Sequence, residues 1–545
     1  MQQANSTTEG HDMAKLTGGQ ALAKSLNREG VRVIFGLPGA QLYYATDALY
    51  DEQGIQWISA RNEQATTFMA DGYARASGEV GTAMVVPGPG VLNATSGLST
   101  AFSASSPVLL VAGQIPKNLI GVNRGMLHEI DDQLEAVKSV TKWAARTIDP
   151  TEIPATVHEA FHQLKTGRPR PVEIEIPPDT LGEEAEVDLL EPAIHPRMAP
   201  QSSSIEEAAK LLAGSGGQVL IWAGGGAVSP EASEALTKLA EHLQAPVITT
   251  SEGKGAISER HYLSLGVPRV RDETMKKLIE DHPVMLAVGT RMATANLPEG
   301  HRVIQIDVDA EEIGRNHKNT LAVQGDAAAS LETLHSATTD LVGPRASQQE
   351  EFEAFRSNRY NPANLMEPQA SYTRAIRAAI PDDGILISGM TQIGYFSRTY
   401  YPVYQPRTYL TSSYSGNLGF AYPTALGAKV AHPDKAVVCV SGDGGFMYNS
   451  QELATAVQYG INAVVIVFND NAFGNVYREQ MTRFKGRPIG SELHNPDFVK
   501  LAEAYGARGM RVEGADALEA ALREALATDA PSLIEVPVSM MESSF

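Results

Sequence analysis

Short apolar, β-branched runs alternate with helical patterns along the whole chain, and that alternation limits the fold more than any other feature. VRVIFGL (31–37), GTAMVV (81–86), PVLLVAG (107–113) and PVEIEIP (171–177) read as strands buried on both faces, with helical stretches such as NEQATTFMADGYARASG between them. Strands of that kind belong in parallel sheets covered by helices on both sides. The pattern falls into three blocks. A polar tail over 1–12, expected to be disordered, precedes the first block, 13–182. The acidic, Pro-rich stretch EEAEVDLLEPAIHPRMAPQSSS reads as a linker over 183–204. The second block, 205–340, carries VLIWAGGGA, APVITT, PVMLAVG and HRVIQIDVD. A polar linker over 341–369 leads to the third block, 370–545, with ILISG, AVVCVSGDG, AVVIVFND and SLIEVPV. The expected fold is α/β, three consecutive open parallel-sheet domains with a Rossmann-like central one.

With 545 residues the chain is too long for a single core. Its net charge of −20 argues against a general binder of nucleic acid or anionic membrane. It does not exclude a local pocket for a phosphate. The one cysteine, Cys439, lies in the apolar run AVVCV, so neither a disulfide framework nor a cysteine metal site is available within the chain. The first residues, MQQANSTTEGHD, carry no apolar stretch of the signal-peptide kind. No run approaches the roughly 20 apolar residues of a membrane helix. A cytoplasmic protein is the resulting expectation.

Chemistry concentrates in the third block. In VVCVSGDGGFMYNSQELATA, Asp443 stands at the C-terminal end of a strand, where open α/β sheets bind ligands. Gly442, Gly444 and Gly445 let backbone N–H groups come close to a bound anion. NSQELATAVQYG is then expected to start a helix with an anion-favouring N-terminus. The next strand ends in Asn469-Asp470-Asn471. If the two strands are neighbours, an aspartate and an Asn/Asp group share one hard cation, with oxygen ligands that suit Mg²⁺ bridged to a diphosphate. A strand-end Asp that only caps a helix is the plainer reading; the second acidic cluster in register argues against it.

GDGGFMYNSQEL followed by FNDNAFGNV resembles the thiamine-diphosphate signature. RNEQATTFMADGYARASG (61–78), VPGPGVLNATSGL (86–98), VLLVAGQIP (108–116) and GNLGFAYPTALGAK (416–429) extend the resemblance over nearly the whole chain. They resemble acetolactate synthase and its relatives in the pyruvate oxidase and decarboxylase superfamily. The resemblance implies pyrimidine-binding, central and diphosphate-binding domains in that order, and thiamine diphosphate with Mg²⁺ as cofactors. It implies that Glu63 hydrogen-bonds N1′ of the aminopyrimidine and promotes formation of the thiazolium ylid. Leu418 aligns with the apolar wedge that bends the cofactor, and Gly416 with a residue holding the pyrimidine edge. Pro38 and Asn93 align with loops of the pyrimidine pocket, and Thr391 and Gln392 with a diphosphate-contacting Gly-Gln segment from which Thr391 departs. Gly444, Gly445, Phe473 and Gly474 count with the cofactor-binding residues. Asp443, Asp470 and the carbonyl of Ala472 are the implied metal ligands, with Asp470 replacing a usual Asn.

Three positions bear on the reaction. Gln114, in GQIP, matches a glutamine near the reacting centre. His128, in MLHEIDDQ, falls where acetolactate synthases carry Gln, and a histidine there can shuttle a proton or merely line the pocket. Glu479 stands where those synthases carry a specificity-determining Trp. In relatives the central domain holds FAD, ADP or nothing. WAGGGAV alone does not assign FAD, and LSLGVPRVRDET in place of a Met-His-Gly element weighs against it. The reading is a lyase or carboligase for a small 2-oxo acid or related carbonyl compound, acting through ylid attack, decarboxylation and an enamine. The enamine then gives an aldehyde or attacks a second carbonyl. A 2-hydroxyacyl-CoA lyase or oxalyl-CoA decarboxylase type is the alternative, since LHEIDDQLEAVK resembles the latter. The short tail MMESSF after SLIEVPV weighs against it. A catalytically silent nucleotide-binding protein of this fold is a further alternative. The resemblance also implies a homodimer or homotetramer with active sites between subunits.

Overall fold

The computed structural model describes residues 13–269, 272–293 and 295–543. The tail expected to be disordered, 1–12, lies outside them. Three six-stranded sheets carry the architecture, with one two-stranded ribbon. The chain divides into two compact units. One runs to residue 195 and the other onward from 196, residues 75–78 and 103–105 counting with the second.

In the first unit, all strand pairs of the six-stranded sheet are parallel, with Val33–Gly36, Gly81–Val85 and Val108–Gly113 in neighbouring positions and Val172–Ile176 beside the last. Strand direction puts the segments after each strand at one edge, where Pro38, Pro87-Gly88 and Gln114 stand. Helices Gly18–Arg28, Tyr43–Asp51 and Ile153–Lys165 bury one face of the sheet through Leu22, Leu26, Leu49, Val157 and Phe161. The first of these starts at a reciprocal cap. The Thr17 hydroxyl accepts from the Gln20 amide at 3.2 Å and the Gln20 side-chain oxygen accepts from the Thr17 amide at 3.0 Å.

The second unit holds two sheets. The central one runs with Val219–Ala223, Val284–Val288 and Arg302–Asp307 as neighbouring parallel strands. The other places Ile385–Ser388, Val437–Gly442 and Val464–Asn469 side by side and parallel, as expected of the strands that end in the acidic motifs.

Both linker segments carry structure. Glu184–Asp188, within 183–204, is a strand paired antiparallel with Met13–Thr17. Its alternation of acidic and apolar residues is that of an edge ribbon with one buried side chain, Val187, so composition masked it. The segment 341–369 contains the helix Gln349–Arg359, whose Phe352 is buried in the central core. Polar residues dominate that helix, and only one turn of it meets the core.

The strand Val172–Ile176 holds an unexpected pair. Val172, Ile174 and Ile176 join the apolar core, while Glu173 and Glu175, two residues apart, are completely buried toward the opposite face. Neither Glu173 oxygen has a hydrogen-bond partner within bonding distance among the described residues. Burial first, and then the Glu175 carboxyl beside it, hold Glu173 well above the usual carboxylate range. An acid whose folded pKa is raised costs stability as pH rises above its unfolded value, near 4.5. Glu173→Leu is therefore expected to stabilise the chain by roughly 1–3 kcal/mol at neutral pH. The gain shrinks toward pH 4.5, as read from thermal melts across pH.

Candidate active site

In the first unit, Glu63 opens the helix Glu63–Ser77 directly after the strand Gln56–Ser59 and its short turn. A second helix, Pro89–Ala104, crosses it closely. A Cβ on Gly97 would stand 2.1 Å from the Thr67 hydroxyl, so only glycine permits this approach. The Thr67 hydroxyl donates to the Ala94 carbonyl at 2.9 Å and Gln64 donates to Ser96 at 3.0 Å. The crossing brings Asn93 to Glu63, and the Asn93 amide donates to Oε2 of Glu63 at 3.0 Å. The acid and the pocket residue expected from the sequence thus form one pair, with Glu63 half-buried and Asn93 exposed. Pro38 lies exposed in the loop after Val33–Gly36.

His128 takes a left-handed backbone, φ 70°. Its Nδ1 lies 3.1 Å from Oε1 of Gln41. The Gln41 amide nitrogen donates to the Leu127 carbonyl at 3.0 Å, which turns Oε1 toward the imidazole. Oε1 can only accept, so Nδ1 donates, which leaves Nε2 as the ring nitrogen available for proton exchange. Gln114 stands directly after the strand Val108–Gly113. It is buried, its amide donates to Glu175 at 3.2 Å, and its oxygen accepts from the Ile115 amide at 2.7 Å. Both polar ends are engaged inside the unit, so Gln114 is part of its internal hydrogen-bonding.

In the second unit, parallel pairing sets Gly442 opposite Phe468. Asp443 and Asp470 follow at the two strand ends. Asp443 begins a single helical turn, Asp443–Phe446, and the longer helix begins only at Glu452, later than NSQELATAVQYG suggests. Two glycines interlock the motifs. The Phe473 ring stands 2.5 Å from where a Cβ on Gly444 would be, and the Asp470 carboxyl 2.4 Å from that of Gly474. Leu418 lies against the same turn, its Cδ2 3.8 Å from the Cβ position of Gly445. Gly416 has the left-handed φ of 64° that its turn requires. Thr391 precedes the helix Gln392–Tyr400, beside Gly442.

Asp443 is 2% exposed and its Oδ2 accepts from the Asn495 amide at 2.6 Å. The same nitrogen donates to Oδ1 of Asn469 at 2.9 Å, and Asn469 donates to Glu535 at 2.8 Å. Asn469 is thereby turned to the sheet, and Asp470 is the residue left beside Asp443. The Ala472 amide lies near both carboxyls and favours their charged forms. Burial raises the Asp443 pKa; burial and then the Asp443 charge push Asp470 up to about 6. Among the described residues neither carboxyl forms an ion pair. Two crowded carboxyls with amide oxygens beside them, offset only by the weaker pull of the Arg478 charge on Asp470, are a donor set for a hard cation. Asn495 was missed in the sequence. It lies in the loop HNPD, 52 positions after Asp443, and only the folded chain shows its role.

Three family models cover the chain. The thiamine pyrophosphate enzyme N-terminal TPP binding domain matches residues 16–136, the central domain 205–334 and the C-terminal TPP binding domain 389–536. A probable acetolactate synthase large subunit of Methanocaldococcus jannaschii is 35% identical over 97% of this chain and 93% of its own length. The chain belongs to the acetolactate synthase-like thiamine pyrophosphate enzymes. The acetolactate synthase large subunit of Haemophilus influenzae is 32% identical over 97% of this chain and 96% of its own. A probable 2-ketoarginine decarboxylase of Pseudomonas aeruginosa is 33% identical over 96% and 94%. Family and three-domain fold agree with the sequence expectation, and with them thiamine diphosphate (thiamine pyrophosphate) as the cofactor of this thiamine pyrophosphate enzyme. Because a methyl at residue 474 would collide with the Asp470 carboxyl, Gly474→Ala is expected to weaken thiamine diphosphate binding by at least about tenfold, roughly 1.4 kcal/mol. Unchanged far-UV circular dichroism would exclude unfolding as the reason.

Proposed function

We propose that this thiamine pyrophosphate enzyme is a Mg²⁺-dependent lyase that decarboxylates a small 2-oxo acid and releases an aldehyde or ligates the fragment to a second carbonyl compound. The observation that carries the reading is the Asp443–Asp470 carboxyl pair, which offers hard oxygen donors and forms no ion pair among the described residues. Asp443, Asp470 and the backbone at Ala472 would hold Mg²⁺, and Mg²⁺ the diphosphate, with the amides of Gly444 and Gly445 beside it. Thiamine diphosphate supplies the carbanion chemistry, as a nucleophile toward the carbonyl and as a sink for the electron pair left by CO₂.

The chain's own residues place and move protons. Glu63 exchanges a proton with N1′ of the aminopyrimidine. Asn93, donating to Oε2, fixes the carboxyl for that exchange. Leu418, packed against the Gly445 turn, would give the cofactor an apolar side chain to rest on. His128, donating from Nδ1 and leaving Nε2 available, delivers or accepts a proton at the reacting carbon. Both acetolactate synthase and 2-ketoarginine decarboxylase relatives support the 2-oxo acid. His128 and Glu479, standing where acetolactate synthases carry Gln and Trp, favour aldehyde release over acetolactate formation. As in the enzymes it resembles, sites assemble between two copies of the chain, in a dimer or tetramer.

A panel of 2-oxo acids and 2-hydroxyacyl-CoAs given to the holoenzyme, with products read by mass spectrometry, tests the proposal. Aldehyde or ligation products from 2-oxo acids are expected, and cleavage of acyl-CoA alone would overturn it. Glu63→Gln is expected to lower kcat by roughly 10²-fold or more, and His128→Ala by about 10–100-fold.

The metal site predicts a pH dependence. Asp470, raised to about 6, is protonated below that pH and must lose its proton to ligate. Mg²⁺ affinity at fixed cofactor is expected to be flat above about pH 6 and to fall roughly tenfold per pH unit below it. Asp470→Asn is expected to abolish that slope, as followed by circular-dichroism titration with Mg²⁺.

A further inference from the structure

Gln133, the last residue of MLHEIDDQ, is only 1% exposed, and both its amide protons and its oxygen are in use. Its amide nitrogen donates to Oε2 of Glu175 at 2.6 Å and to the Gly113 carbonyl at 3.1 Å. Its oxygen accepts from the Gly88 amide at 2.9 Å. One side chain thus joins the segments at the ends of three neighbouring strands. The anchor is Glu175, which also accepts from Nε of Arg146 and from Gln114 at 3.2 Å. Glu173, without a donor in bonding distance, stands beside it. Arg146 and the two amides make Glu175 the member of the pair that holds the negative charge.

The Gly88 end of this junction leads to the reacting groups. Gly88 immediately precedes the helix Pro89–Ala104, and Asn93, the partner of Glu63, is in that helix's second turn. Gly88 has a φ of 60°, and a Cβ on it would stand 2.3 Å from the His128 carbonyl oxygen. His128 is therefore seated on the Gly88 backbone, in a left-handed conformation that costs a non-glycine residue energy and needs support. Gln41 orients only the ring and the neighbouring carbonyl. Nothing else among the described hydrogen bonds ties the Gly88 amide.

We propose that Gln133, held by the Glu175–Arg146 ion pair, is the positioning residue that fixes Gly88 and through it both the Asn93–Glu63 pair and the His128 loop. It touches neither cofactor nor substrate. The proposal rests on the reading of Glu63 and His128 given above. Small displacements of reacting groups cost up to about 10²-fold in rate, so the effect belongs in kcat and in proton transfer, with substrate affinity largely spared.

Gln133→Met keeps the volume and removes all three hydrogen bonds. In the chain without cofactor, amide hydrogen exchange is expected to speed up over 86–95 and 126–129 while the strands 108–113 and 172–176 keep their protection. In the holoenzyme, exchange of the thiazolium C2 proton is expected to slow by about 10–100-fold and kcat to fall similarly, with KM within about threefold. Glu175→Gln, which keeps an acceptor but loses the charge, is expected to give the same changes at smaller size and covers the case in which Gln133→Met does not fold. Wild-type exchange over 86–95 and 126–129 would overturn the positioning role. Faster exchange there with wild-type C2 exchange and kcat would overturn the link to the reaction. The functional reading itself fails separately, if Glu63→Gln and His128→Ala keep full activity.

Discussion

Two crowded carboxyls, neither in an ion pair among the described residues, set the terms for the second unit. Asp443 is nearly inaccessible and Asp470 half-buried, and each costs free energy as an anion in that place. The fold nevertheless spends its most constrained residues on bringing them together. Parallel strands align the two ends, Gly444 makes room for Phe473, and Gly474 makes room for Asp470. Asn495 holds Asp443 and Asn469 with a single amide. A divalent cation held there, as proposed, would turn this costly cluster into a favourable one, and metal binding would then become part of the stability of the site.

The first unit solves a different problem, the exact placing of one acid. Helices meet at Gly97 so that Asn93 reaches Glu63, and the helix start is tied at Gly88. The tie runs inward to buried Glu175 and Arg146. Such a buried polar network contributes little net stability, because desolvation offsets much of its attraction. Its value lies in leaving the strand-end segments a single arrangement.

The sheets and their order of appearance were legible because buried parallel strands write themselves as continuous β-branched runs. The pairing of GDGG with FNDN was legible from the spacing of two such runs. Edge elements were not. Glu184–Asp188 and Gln349–Arg359 bury one apolar side chain each, Val187 and Phe352, too few to leave a period in an acidic sequence. Glu63, Asn93, Asp443 and Asp470 could be singled out because their neighbours form motifs. Asn495, Gln41 and Gln133 act through contacts with residues distant in sequence, and an isolated amide carries no pattern. Gln114 shows the converse: its motif drew attention to the right strand end, and its side chain turns inward to Glu175.

The central claim is that the Asp443–Asp470 pair anchors thiamine diphosphate through a divalent cation. Calorimetric titration of the metal-stripped chain with thiamine diphosphate, with and without Mg²⁺, tests it most directly when wild type is compared with Asp443→Ala. The account predicts tight binding by wild type that depends on Mg²⁺, and no Mg²⁺-dependent binding by Asp443→Ala. Equal binding with and without Mg²⁺, or unchanged binding by the variant, would contradict it.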